Sequence, residues 1–165
     1  MIDVRKAIQA DAEQFVGVMR DAENSSFMLF GPGERNMTVE QAAKLIETIN
    51  KKTKSALFVA LDGQQLLGYL ILHGETVKRI THRGTVVIGV HSEARRKGVG
   101  SALFTAAHRF AREQGISRLE LSVIEHNKAA VQLYKKMGYE IEGVKRNSLV
   151  IDGEYVNEYS MAYLL

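Results

Sequence analysis

Residues 56–90 hold three apolar runs separated by turn signals, a pattern that no purely helical fold accommodates. Ala56 to Leu61 is apolar throughout, Asp62-Gly63 is a strong hairpin signal, and Leu66 to Leu72 is apolar again. A polar stretch from Glu75 to Arg83 leads to Thr85-Val86-Val87-Ile88-Gly89-Val90, rich in the β-branched residues that strands favour. The reading is an antiparallel meander of three strands. Beyond it, Val99, Leu103, Ala106, Ala107 and Phe110 mark one face of a helix that Gly115 stops. Leu119, Leu121 and Val123 alternate with polar residues as a further strand, and Asn127 opens a short helix carrying Ala130, Leu133, Tyr134 and Met137, closed by Gly138. Tyr139 to Ile151 and Tyr155 to Leu165 flank Asp152-Gly153 as a closing hairpin.

Ahead of the meander, Ile2 to Ala7 reads as a short strand. Asp11 is positioned to cap a helix bearing Ala12, Phe15, Val16, Met19 and Ala22. Gly31-Pro32-Gly33 breaks the chain, and Thr38 with Gln41 forms a capping box before Val39, Ala42, Ala43, Ile46 and Ile49. Strands in a row, then strand–helix–strand–helix and a hairpin, predict an α/β (α+β) fold with a mixed sheet and helices on its faces. The connection through residues 99–114 has the length of a right-handed parallel crossover. A chain of 165 residues fits one domain spanning 1–165, without repeats or low-complexity tracts.

Composition narrows the chemistry. There is no cysteine, which excludes disulfides, a thiolate nucleophile and cysteine-bound zinc, and suits a reducing cytoplasm. No apolar run reaches the roughly 20 residues that span a bilayer, and Met1 to Lys6 lacks the apolar stretch of a secretory signal. The net charge of +3 is compatible with an anionic ligand or with a merely solvated basic surface, so the position of the charges matters more than their sum.

That position is informative at Arg95-Arg96-Lys97-Gly98-Val99-Gly100-Ser101, between a strand and a helix. Glycines let the backbone turn sharply and approach a ligand closely. The first amides of a helix lack intrahelical partners and point outward at the positive end of its dipole. Two arginines and a lysine add charge suited to phosphate oxygens, and together these features make a pyrophosphate cradle. The spacing is not that of a Walker A loop, and the third glycine of a full dinucleotide fingerprint is missing. Taken alone, the segment also reads as an ordinary helix start with solvated charges.

Arg95, Gly98 and Gly100, set as Arg-x-x-Gly-x-Gly after a strand, resemble the acetyl-CoA-binding motif of the GNAT (GCN5-related) N-acetyltransferase family. The run from Asn127 through Ala130 and Tyr134 to Gly138-Tyr139 is similar to the family's second signature. The resemblance implies a mostly antiparallel sheet of six to seven strands with about four helices, splayed between the fourth and fifth strands, here Thr85–Val90 and Arg118–Val123. It implies acetyl-CoA in that cleft, with Gly89 as a bulge residue, Ile88 and Val90 offering backbone groups to the pantetheine arm, and Val90 N–H facing the thioester oxygen. Arg96 through Ser101, Lys97 and Val99 included, would hold the pyrophosphate, with no metal. Asn127 caps its helix and is a candidate cofactor contact, as are Ala130 and Tyr134; Lys136 is within reach of a cofactor phosphate or is simply a surface lysine, the commoner case. Tyr134 is the implied catalytic acid for the departing thiolate, although its helical spacing with Ala130 and Met137 also suits simple packing.

The acceptor amine must lose a proton before it attacks, since a primary amine resembles lysine with a pKa near 10. Glu75, His91, Glu120 and Glu142 are candidate bases by location, and none is distinguished. In the loop between the first two helices, Glu34 is a candidate for a cationic amine and Arg35 for a carboxylate, while Phe27 to Phe30 forms either a pocket wall or core. The resemblance thus implies direct acetyl transfer to an amine of a small molecule, amino acid, polyamine or protein N-terminus. The alternatives are a non-catalytic acyl-CoA sensor on the same fold and a nucleic-acid binder, for which no motif is present. Neither a membrane nor a nucleic acid is an expected partner. Dimers are common among such proteins, and nothing in the chain marks an interface.

Overall fold

A computed structural model describes residues 1–165 as seven strands and four α-helices. In chain order these are β1 (Ile2–Lys6), α1 (Ala12–Glu23), α2 (Val39–Asn50), β2 (Ala56–Asp62), β3 (Gln65–Gly74), β4 (Arg83–Val90), α3 (Val99–Glu113), β5 (Arg118–Ile124), α4 (Lys128–Lys136), β6 (Glu140–Ile151) and β7 (Glu154–Leu164). One sheet runs β1-β2-β3-β4-β5-β7-β6, antiparallel everywhere except between β4 and β5. The expected meander is present. The closing hairpin turns at Asp152 and Gly153, both at positive φ, and inserts β7 between β5 and β6.

The unbroken apolar run of β2 follows from burial on both faces. Ala56, Phe58 and Ala60 join Leu70, Leu72 and the α3 residues Leu103, Phe104 and Ala107 in one core layer. Leu57, Val59 and Leu61 alternate to the other face and pack with Phe15 and Met19 of α1 and Ile46 and Ile49 of α2. Thr38 caps α2 as its sequence predicts, its Oγ1 accepting from Gln41 N at 3.1 Å while Thr38 N donates to the Gln41 side chain at 2.9 Å. Asp11 departs from expectation. Its carboxylate turns back to accept from Arg5 at 2.7 and 2.9 Å and from Ile8 N at 2.8 Å, so α1 starts without a side-chain cap.

His108 is buried in the α3 layer, where its Nε2 shares a 3.0 Å hydrogen bond with the Tyr139 hydroxyl. Burial, with a smaller contribution from Arg112, pulls its pKa down to about 4. Unfolded histidine titrates near 6.5, so between these values the native state binds fewer protons than the unfolded chain. His108 therefore costs nothing above pH 6.5 and destabilises the fold progressively as pH falls toward 4. Thermal melts from pH 7.5 to 4 are expected to show this acid loss, and His108→Gln is expected to flatten it.

Candidate active site

The parallel pairing of β4 with β5 covers only Arg83↔Arg118, Gly84↔Leu119 and Thr85↔Glu120. Past Thr85 the strands separate, while β4 stays paired with β3 without interruption from Gly74↔Gly84 to Gly68↔Val90. The separation thus needs no bulge, and Gly89 is not one. Its side is filled by the ring directly across the ladder: a Cβ at Gly89 would lie 2.5 Å from Tyr69 Cε1. Tyr69 is held edge-on by Phe15, and its hydroxyl is buried without a hydrogen-bond partner.

The parity of β4 decides which main-chain groups face the gap. His91 N donates to Leu67 O at 2.8 Å and Arg83 O accepts from Glu75 N at 3.3 Å, so odd-numbered residues turn their polar groups toward β3. Val86, Ile88 and Val90 turn theirs the other way, along the open edge. Together with β5, α4 and the α1–α2 loop they line a cleft of ≈ 720 Å³, within the range of cofactor and ligand sites.

At the mouth of the cleft, Asp21 of α1 clips the end of β4, accepting from Ser92 N at 2.7 Å and Ser92 Oγ at 2.9 Å. The chain then passes through two left-handed residues, Arg96 (φ 62°) and Gly98 (φ 81°), before α3 begins. The first bond of α3 runs from Ala102 N to Gly98 O, which leaves the amides of Val99, Gly100 and Ser101 without intrahelical partners. Arg95, Arg96, Gly98, Val99, Gly100 and Ser101 all line the cleft, and Lys97 does not. Gly100 permits close packing of α3 on α4, since a Cβ there would stand 2.6 Å from Leu133 Cδ2.

Asn127 starts α4, its Oδ1 accepting from Ala130 N at 3.4 Å, and both residues line the cleft with Lys136. Tyr134 is 9% exposed and packs edge-on to Phe104 at 5.6 Å between ring centroids. Unlike the hydroxyl of Tyr139, which is bonded to His108, the Tyr134 hydroxyl enters no side-chain hydrogen bond of the protein. Burial alone pushes its pKa up to about 12, so the phenol is protonated throughout the neutral range.

None of the four candidate bases lines the cleft. Glu75 lies at the far end of the β3–β4 ladder. Glu120 accepts from Arg118 Nε at 2.7 Å and sits 3.8 Å from Arg83, and Glu142 pairs with the same Arg118 at 2.5 and 2.9 Å. His91 spends its Nδ1 on Glu93 N at 3.1 Å, and is a turn residue. The two acceptor candidates are also elsewhere. Glu34 is exposed and accepts from Gly31 N at 3.3 Å. Arg35 is paired with buried Glu23 at 2.6 Å and stacked on Phe30 at 4.4 Å. Ser25, Phe27, Met28 and Leu29 form the loop wall instead, and the carboxylate in the lining is Glu158 of β7, which sequence reading missed. No group of three or more His, Asp or Glu side chains converges as a metal site.

The profile of the acetyltransferase (GNAT) family matches residues 19–139. An L-amino acid N-acetyltransferase of Escherichia coli is 34% identical over 107 residues, 64% of this chain and 65% of that protein. A mycothiol acetyltransferase of Streptomyces scabiei is 34% identical over 52% of this chain and 27% of its own length. The chain thus spans under two thirds of the curated relatives it matches. Among solved structures, an acetyltransferase of the GNAT family from Streptococcus pneumoniae superposes with a TM-score of 0.94 at 26% identity, covering 100% of both chains. A phosphinothricin acetyltransferase from Sinorhizobium meliloti in complex with acetyl-CoA superposes at 0.86 with 20% identity, over 99% of this chain and 88% of that one, a likeness of fold.

Proposed function

Because this chain belongs to the acetyltransferase (GNAT) family, we propose that it transfers an acetyl group from acetyl-CoA directly to an amine, in the reducing cytoplasm that a cysteine-free chain suits. The observation that carries this reading is the one-sided opening of β4, whose free edge ends at a left-handed turn in a cleft that Tyr134 also lines.

The residues present fit the coenzyme. The main-chain groups of Ile88 and Val90 are available to an extended amide-bearing arm, as a neighbouring strand would use them. The amides of Val99, Gly100 and Ser101, flanked by Arg95 and Arg96, suit a diphosphate. Acetyl-CoA, when bound, supplies the activated acyl thioester. The Val90 amide is a candidate donor to its carbonyl oxygen. The Tyr134 hydroxyl holds the proton that the leaving sulfur requires. Asn127 and Ala130 fix the start of α4 and hence the height of Tyr134 in the cleft.

Calorimetric titration with acetyl-CoA, followed by thiol release on an amine panel, tests the proposal. L-amino acids head the panel because the Escherichia coli relative is named for them; polyamines, an aminoglycoside and peptide N-termini complete it. Binding heat and amine-dependent thiol release are expected, and their joint absence would refute the reading. Gly98→Val puts a β-branched residue at φ 81° and re-aims the amides that follow. Acetyl-CoA affinity is expected to fall by about 10- to 100-fold, and the strain, roughly 1–3 kcal/mol, is expected to lower the melting temperature by several degrees.

A further inference from the structure

We infer that Glu158 is the base that takes the proton of the acceptor amine, working from the opposite face of the sheet to Tyr134. This rests on the transferase reading above and adds a residue to it. On β5, Leu121 and Val123 point into the core layer shared with α3 and α4, the side from which Tyr134 enters the cleft. Ser122 and Ile124 therefore point to the other face, toward the α1–α2 loop. Glu158 pairs with Ile124 and shares that face, because directly opposed residues of an antiparallel ladder project to the same side. The loop residues Phe27, Met28 and Leu29 border the same opening, and the Phe27 ring lies 5.5 Å from that of His126 in the turn after β5. An acyl group held in the gap between β4 and β5 thus has a phenol on one face and a carboxylate on the other.

Local structure holds that carboxylate in place. The β6–β7 ladder loses register between Lys145 and Leu149, and Asn147 within the irregular segment is left-handed (φ 51°), its N–H donating to Asn157 Oδ1 at 2.9 Å. This brings Ser148 Oγ to 2.6 Å from Glu158 Oε1, to which it donates. No lysine, arginine or histidine nitrogen forms an ion pair with Glu158. Lys145, its partner across the ladder, sends Nζ to Ser122 Oγ at 2.7 Å. Glu158 is the one acidic side chain among the cleft residues, which otherwise carry charge only at Arg95, Arg96 and Lys136.

The proton balance is complete. Glu158 removes one proton from the acceptor ammonium and passes it to water. As the C–N bond forms and the C–S bond breaks, the Tyr134 hydroxyl gives its proton to sulfur. The second nitrogen proton returns through water to the tyrosine oxygen, so each turnover releases one proton.

The test is Glu158→Gln, which keeps size and hydrogen bonding but removes the base. Acetyl-CoA affinity by calorimetry is expected to stay within about twofold, because the cofactor contacts lie on β4, α3 and α4. On the best amine, kcat/KM at pH 7 is expected to fall about 100-fold, the lower end of the range for general-base catalysis. The loss should shrink as pH rises toward the amine pKa, and for weakly basic amines that are already neutral. An active wild type whose Glu158→Gln variant matches its rate and pH profile would overturn the role of Glu158 alone. An equal loss at every pH and for every amine would also overturn it, since that is the signature of lost packing. A wild type that neither binds acetyl-CoA nor releases thiol would instead count against the transferase reading itself.

Discussion

Tyr134→Phe is expected to reduce thiol release about 100- to 1,000-fold while acetyl-CoA affinity stays within about twofold, a magnitude typical of removing a positioned acid. The substitution deletes one hydroxyl and retains the ring, so the edge-on packing on Phe104 persists and the fold is unaffected. With a pKa of about 12, the phenol is a weak acid, whereas a thiol in water titrates near 8.5. On the proposed role the transfer is still productive. Desolvation raises the proton affinity of a departing thiolate for the same reason that it raises that of the phenolate. The wild-type rate should consequently show no alkaline decline from Tyr134 below pH 10. The measurement is steady-state thiol release from pH 6 to 10, alongside calorimetry. A loss smaller than threefold across that range would remove the hydroxyl from the chemistry.

Phe104→Ala is expected to produce the largest loss of stability, about 4 kcal/mol, seen as a lower urea midpoint with an unchanged slope. Phe104 is fully buried, and its ring contacts those of Tyr134, Tyr139 and His108 at 5.4–5.7 Å. Removing it leaves a cavity under all three, against a total stability of roughly 5–15 kcal/mol for a typical domain. Phe104→Leu, which fills most of the space, should cost about 1 kcal/mol. The leucine variant is the informative one for function, because it frees the Tyr134 ring in a folded protein and should slow turnover more than it weakens binding. Equal midpoints for wild type and Phe104→Ala would show that the aromatic layer does not hold α3 to α4.

What the sequence made legible was local. The meander is written in consecutive apolar runs because β2 is buried on both faces, and the turn into α3 is written in the glycine-bearing run Arg95 to Ser101, where Arg96 and Gly98 are left-handed. Tyr134 stands out only because the run from Asn127 to Gly138-Tyr139 resembles the family's second signature; its helical spacing with Ala130 and Met137 by itself suits packing. What could not be read depends on residues brought together across the sheet. Glu120 and Glu142 look free in sequence, but Arg118, on the same strand as Glu120 and 24 positions before Glu142, neutralises both. Arg35 looks like a ligand for a carboxylate until Glu23, 12 positions earlier, takes it. Gly89 looks like a bulge because the ring that needs its missing side chain belongs to Tyr69. Glu158 faces the cleft only because the last strand slots between β5 and β6, an order that no local pattern encodes.

The three residue pairs joining β4 to β5 have a mechanical consequence. They act as the pivot of a pair of dividers, with the Arg83–Glu120–Arg118–Glu142 ion pairs as the rivet that pins it across three strands. From Thr85 to Val90 the edge of β4 turned to the gap is five residues long, roughly 17 Å at strand spacing, while its other edge stays paired with β3. A few degrees of rotation at the rivet therefore displaces the tips by more than an ångström, near the turn at Arg96 and Gly98. Charge changes far from the chemistry, at Arg118 above all, would set how wide the instrument opens.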